Sequence, residues 1–209
     1  MLTVEETQRL LSALSIKECT MVLMAVGTGL RRSELFALKW KDVDFAANHL
    51  SVTRSIVSQV VGVCKTEASQ KPVSLHESLA QALLEWHRHT SFRKREDWVF
   101  ASPHSNGKRP YWAQAIMRYH VAPASRRIQL QKRVGWHTFR HTYATMLKQV
   151  GTDIKVMQEL LRHSSVRCTL DTYTQAIMPA KRAAQNAVLS LIFAEAQSKP
   201  SETCTVLHS

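Results

Sequence analysis

The stretch GWHTFRHTYATML, residues 135–147, sets His137, Arg140 and His141 close together among Trp136, Phe139, Tyr143, Met146 and Leu147. At about 100° per residue, Phe139, Tyr143, Met146, Leu147 and Val150 gather on one side of a helix, with the two histidines and the arginine toward the other. The core is thus accounted for without the cations. Residues three apart are neighbours on a helix surface, so His137 and Arg140 can grip one small anion together. A solvated basic edge satisfies the same spacing. A zinc-protease reading of His137 and His141 fails, because Thr138 stands where that chemistry needs a glutamate.

Three further phrases bear on the choice. VGTGLRRSELFALKW places Arg31 and Glu34 directly after a glycine break, KTEASQKPVSL carries Lys65, and LLRHSSVRCTLDTYTQ sets His163 ten residues before Tyr173. In this order and spacing the chain resembles the catalytic domain of the tyrosine recombinases, the lambda-integrase family of site-specific DNA recombinases, over roughly residues 2–195. The family pattern is an arginine in TGLRxSEL, a lysine in a β-hairpin, HxxR, a histidine or tryptophan, and a tyrosine nucleophile. Arg31, Lys65, His137 with Arg140, His163 and Tyr173 match it in turn, and Glu34 matches the supporting acidic residue.

The resemblance implies phosphoryl transfer without hydrolysis, metal or ATP. A tyrosine oxygen attacks a DNA phosphodiester, forms a 3′-phosphotyrosyl link and frees a 5′-hydroxyl, which a second strand's hydroxyl later replaces. Fixed cations aimed at the non-bridging oxygens are the main electrostatic aid, and the planar fork of an arginine suits that work. Arg31 and Arg140 take this role, Tyr173 is the nucleophile, His137 accepts its proton and Lys65 protonates the leaving oxygen. His163 donates a hydrogen bond to the phosphate, and Glu34 orients Arg31 or a histidine. Tyr143, on the apolar side, and His141 are expected to pack and hydrogen-bond. The implied fold is α+β, mainly α-helical with a small antiparallel β-sheet, with a catalytic domain over 1–196 and a flexible tail over 197–209. The family's N-terminal core-binding domain is expected to be absent. The chain writes LRHSS where the family usually writes LGHSS, so Arg162 either strains a left-handed position or adds a phosphate contact.

Composition agrees with a polyanionic partner. Among 209 residues, 28 lysines and arginines face 16 acidic residues, for a net charge of +12; each phosphate neutralised by such a side chain releases condensed counterions. Double-stranded DNA is the expected partner, contacted by Arg32, Arg162 and the basic connection SRRIQLQKR with Arg126, Arg127, Lys132 and Arg133. Hydrophobic content of 44% suffices for a sizeable core. No apolar run approaches the ~20 residues of a membrane span, so a cytoplasmic, nucleoid-associated protein is expected. Cys19, Cys64, Cys168 and Cys204 lack metal-site spacing, and no cofactor is expected.

The elements needed to position these residues follow from pattern. Thr3 and Glu6 form a capping box ahead of a first helix. A second helix fills 16–26 until Gly27 and Gly29 break it, and RRSELFALKW starts another. HLSVTRSIV, VGVCKT and KPVSL read as one small antiparallel sheet. Helices follow over 76–88, 113–119, 137–149, 153–162, 165–174 and 179–196. The last either docks on a neighbouring subunit in a tetrameric synapse or folds back on its own core. Two other functions fit the same residues: relaxation by a type IB topoisomerase, and a DNA-binding fragment that no longer recombines.

Overall fold

The computed structural model describes residues 1–63 and 72–163. Lys65, Tyr173, three of the four cysteines and the helices expected over 165–174 and 179–196 lie outside the described residues. Those described belong to one compact unit, Met1–Val166.

Helix α1 (Val4–Ser12) begins as its capping box dictates: the Thr3 hydroxyl accepts from the Glu6 N–H at 3.1 Å, and the Glu6 carboxylate from the Thr3 N–H at 2.7 Å. Helix α2 (Ile16–Thr28) is the centre of the fold, with Met21, Val22, Met24 and Ala25 all buried. It packs on α4 (Glu77–His89) along one side and on α7 (Trp136–Gln149) along the other. It also runs two residues past its expected end. Gly27 does not break it but leaves room for α4, since a β-carbon there would lie 2.9 Å from Leu79 Cδ2.

The chain then turns at Gly29, whose left-handed φ of 63° caps α2. Of the next phrase Arg32–Leu35 is α-helical, as the single turn α3, and its last residue opens a 3-10 turn, Trp40–Asp42. Among the described residues the β-region holds two sheets where one was expected. In the first, β1 (Val43–Asp44), β2 (His49–Leu50) and β5 (Val73–Ser74) pair antiparallel in the order β1-β2-β5. The second is a hairpin of β3 (Arg54–Val57) and β4 (Val60–Val63), in register from Arg54↔Val63 to Val57↔Val60. Its two-residue turn, Ser58 and Gln59, takes φ of 50° and 65°, the mirror-image turn that matches strand twist.

The helix expected to contain 113–119 runs on to Arg127. It comprises α5 (Ala113–Ile116), a π turn (Met117–Val121) and α6 (Ala122–Arg127). Pro123 has no N–H to donate to the Tyr119 carbonyl and its ring crowds that oxygen, so the coil widens ahead of it. Arg126 and Arg127 consequently sit on a helix, not in an irregular connection. Helix α8 (Ile154–Leu160) follows α7 and is capped by Asp153, which accepts from the Lys155 N–H at 2.7 Å.

An aromatic cluster ties these parts together. Trp136 stands edge-on to Phe36 with centroids 5.0 Å apart and to Phe139 at 5.8 Å, while its Nε1–H donates to the Ala113 carbonyl at 2.8 Å. Phe36 follows α3 directly, so burying it fixes the RRSEL turn against the start of α7. One expected core residue is corrected: Val150 is 77% exposed. It lies one residue past the last turn of α7, where the chain leaves the helical wheel.

Gly29 is demanded twice, by its φ and by Tyr143, whose Cδ1 would lie 2.5 Å from a β-carbon there. Gly29→Ala is expected to lower stability by about 2–4 kcal/mol, from the left-handed backbone and the displaced ring. Gly151→Ala, at φ 75° but in open space, should lose only about 1 kcal/mol. Urea unfolding of both variants measures the difference, and equal losses would show that Tyr143 moves aside without cost.

Candidate active site at the end of helix α8

Helix α8 stops in a Schellman turn. The Arg162 N–H bonds the Glu159 carbonyl and the His163 N–H bonds the Gln158 carbonyl, each at 3.0 Å, with Arg162 itself at φ 52°. Glycine is the usual residue at such a position, and for arginine the left-handed backbone costs about 1–2 kcal/mol. The turn exposes carbonyls that no intrahelical donor can satisfy. Two arginines from distant parts of the chain reach them. Arg140 donates to the Leu161 carbonyl and also to the Gly29 carbonyl, and Arg31 Nη2 donates to the Arg162 carbonyl at 3.2 Å. Arg31 and Arg140 are thus anchored on successive peptide units, with His163 next along the chain.

Glu34 joins the same group. It is 3% exposed; its Oε1 accepts from Arg31 Nη1 at 2.9 Å and its Oε2 from the Arg31 backbone N–H at 2.8 Å. Burial by itself would raise the carboxyl's pKa. The Arg162 guanidinium, the Arg31 N–H and the Arg31 guanidinium outweigh it, so Glu34 is held below the ordinary carboxylate range. The expectation that Arg162 reaches a phosphate is corrected here. Its side chain is 3% exposed and its guanidinium lies against Glu34, whereas the Arg31 side chain remains 35% exposed.

His163 is pushed down to about 4, first by burial and then by Arg140, Arg31 and His141. It is therefore a neutral imidazole at physiological pH. The sign follows from linkage: the unfolded chain binds the proton more readily, so this residue's contribution to stability is complete above the ordinary histidine pKa. That contribution is lost as pH falls toward 4.

His137, in the first turn of α7, is exposed, as is His141 one turn on. Although the His141 side chain reaches solvent, the protein packed around its ring lowers its pKa, as do His137 and Arg140. Beside the packing and hydrogen bonding expected of it, His141 is coupled electrostatically to His137, Arg140 and His163. Its spacing of four from His137 was the available signal. Tyr143 is partly buried, burial pushes its phenol upward, and it packs on Gly29.

The remaining expected DNA contacts are dispersed. Arg32 borders a 210 Å³ hollow with Ile56, Tyr111 and Trp112. Arg126 and Arg133 are exposed. Arg127 donates to the Ala13 carbonyl and Lys132 pairs with Glu6 at 2.7 Å, tying this basic stretch to α1 and its vicinity. Among the described residues no cluster of histidine, cysteine or carboxylate side chains could hold a metal, and no helix is long and apolar enough to cross a membrane.

The family model for the phage integrase family matches residues 1–178. The chain belongs to the phage integrase family. A tyrosine recombinase XerC-like protein of Caldanaerobacter subterraneus subsp. tengcongensis is 32% identical over 182 residues, covering 76% of this chain and 46% of that protein. The ICEBs1 integrase of Bacillus subtilis is 28% identical over 169 residues, 74% of this chain and 44% of its own. This phage-integrase-family chain therefore spans just under half the length of such relatives. The crystal structure of XerA recombinase superposes with a TM-score of 0.68 at 26% identity, over 89% of this chain and 62% of that one. The Tn1549 transposon integrase, in complex with circular intermediate DNA, gives 0.77 at 23% identity, over 90% and 66%. The fold is that of an integrase catalytic domain, mainly helical with small antiparallel sheets.

In a proton NMR titration the His163 imidazole is expected to titrate near pH 4. In Arg31→Gln its midpoint should move up, because one of the cations disfavouring protonation is gone. A wild-type midpoint in the ordinary histidine range would mean that the two arginines and His163 do not share a pocket.

Proposed function

We propose that this chain is the strand-transferring part of a site-specific DNA recombinase, which cleaves and rejoins duplex DNA through a 3′-phosphotyrosyl link to Tyr173. The observation that carries the reading is the meeting of Arg31, Arg140 and His163 at the end of α8, ten residues before that tyrosine. Two anchored guanidinium groups beside a neutral imidazole suit a phosphodiester whose non-bridging oxygens gain charge in the transition state. Their carbonyl anchors fix the planes of the forks before substrate arrives.

Within this reading Tyr173 attacks phosphorus, His137 takes the phenolic proton, and Lys65 protonates the departing 5′-oxygen. His163, neutral at working pH, still carries one N–H and donates it to a non-bridging oxygen. The energy of the broken phosphodiester is kept in the tyrosyl ester, so rejoining needs no nucleotide. Double-stranded DNA is the partner; the net charge of +12 supports it, as does the DNA complex of the Tn1549 transposon integrase. Strand exchange between two duplexes further requires self-association, for which the segment 179–196 and a tetrameric synapse are proposed. Relaxation in the manner of a type IB topoisomerase is less favoured, because the relatives are named recombinases and integrases.

The test uses suicide duplexes carrying the sequences that flank the protein's own gene. An SDS-resistant protein–DNA adduct is expected, abolished in Tyr173→Phe and reduced by about 10²–10³-fold in Arg140→Ala. DNA binding without any adduct would leave a binding module in place of an enzyme. DNA affinity should also fall steeply with salt, the logarithmic slope reporting roughly 0.9 per phosphate neutralised.

A further inference from the structure

Arg162 occupies a position where a glycine would end α8 without strain, and it buries a charged side chain in doing so. Its guanidinium does not face solvent. Nη2 forms an ion pair with Oε2 of Glu34, and neither it nor Nε makes a well-aligned hydrogen bond among the described residues. The Arg162 main chain meanwhile accepts a hydrogen bond from Arg31. Glu34 is thereby held between two guanidinium groups, that of Arg31 on one carboxylate oxygen and that of Arg162 on the other.

The charges decide what this does. A buried carboxylate paired with Arg31 alone would form a neutral couple, and most of the field that Arg31 sends outward would be cancelled. With Arg162 on the far side, two cations share one anion. The group then carries one net positive charge, and the only member with substantial exposure is Arg31. We propose that Arg162 is a positioning residue that takes up the charge of Glu34, so that Glu34 can orient Arg31 without neutralising it toward a bound phosphate. The inference rests on the reading that Arg31 holds a DNA phosphate. It assigns to Arg162 no contact with DNA.

The experiment compares wild type with Arg162→Met, Arg162→Lys, Glu34→Gln and the Arg162→Met/Glu34→Gln double variant. For each, the single-turnover rate of adduct formation, the duplex Kd and its salt slope are measured. Arg162→Met is expected to slow adduct formation by about 10- to 100-fold, the range for partners acting through a neighbouring group. Its Kd should weaken by less than its rate, because the charge lost at Arg31 is felt most where charge builds up in the transition state. Arg162→Lys should restore much of the rate, because it restores the charge. In the Glu34→Gln background the same Arg162→Met change should cost less than about threefold, as there is no anion left to balance.

Equal costs in the two backgrounds overturn the proposal. So does a loss of Kd and salt slope on Arg162→Met that is just as large in the Glu34→Gln background, which marks a direct phosphate contact. An unchanged rate per folded molecule in Arg162→Met also overturns it, leaving a structural residue. A readout free of DNA separates this inference from its premise: a carbon-13 carboxylate titration in which the Glu34 midpoint rises in Arg162→Met and stays low in Arg162→Lys. An unmoved midpoint refutes the charge pairing whatever the enzyme does. Failure of wild type to form any adduct would instead refute the recombinase reading, with the titration still deciding whether Arg162 balances Glu34.

Discussion

The site depends on the unsatisfied carbonyls at the end of one short helix. A helix end leaves its last carbonyls without intrahelical donors, and where it is partly buried something else must supply them. At the end of α8 the donors are Arg31 and Arg140, which come from distant parts of the chain. A need of the backbone thus draws two permanently charged groups to one place. The Schellman turn that creates the need also delivers His163 beside them. Geometry at this turn is consequently inseparable from geometry at the site, and a change that unwound it would scatter all three side chains.

Charge is the second constraint. Burial disfavours a charged imidazole and the neighbouring cations repel its proton as well, which is why His163 stays neutral with its pKa about 4. Glu34, buried among the same groups, relieves part of that repulsion and is held ionised by it. A buried carboxylate without such partners would have a raised pKa and would take up a proton. The outcome is a small charged group whose acid is hidden and whose cation nearest solvent, Arg31, is fixed from both its main chain and its side chain.

The surrounding fold holds these parts at the needed distances through apolar contact. Phe36 and Trp136 meet edge to face between the RRSEL turn and the first turn of α7. Gly29 lets Tyr143 press on the bend that follows α2, and its carbonyl accepts from Arg140. Each contact joins segments that also bear site residues, so the packing of the core and the placing of the cations are one problem. The basic stretch before α7 is tied in differently, with Arg127 and Lys132 engaged by the region of α1.

Much of this was legible in the amino-acid sequence. Thr3 with Glu6 announces its helix, the 3.6-residue pattern places α2, α4 and α7 to within two residues or so, and the phrases around Arg31, His137 and His163 name the family. Such features are local: a cap, a periodicity or a motif spans a few residues and needs no knowledge of what packs where. Other features depended on contacts between remote segments. That Gly27 would sit inside a helix depends on Leu79, and the division of the strands into two sheets depends on pairing. Val150 falls outside the core because the helix ends before it. Arg162 is the clearest case. Sequence allowed either a strained backbone or a phosphate contact; in the structure the backbone is left-handed and the guanidinium faces inward, because a buried carboxylate three residues after Arg31 lies within its reach.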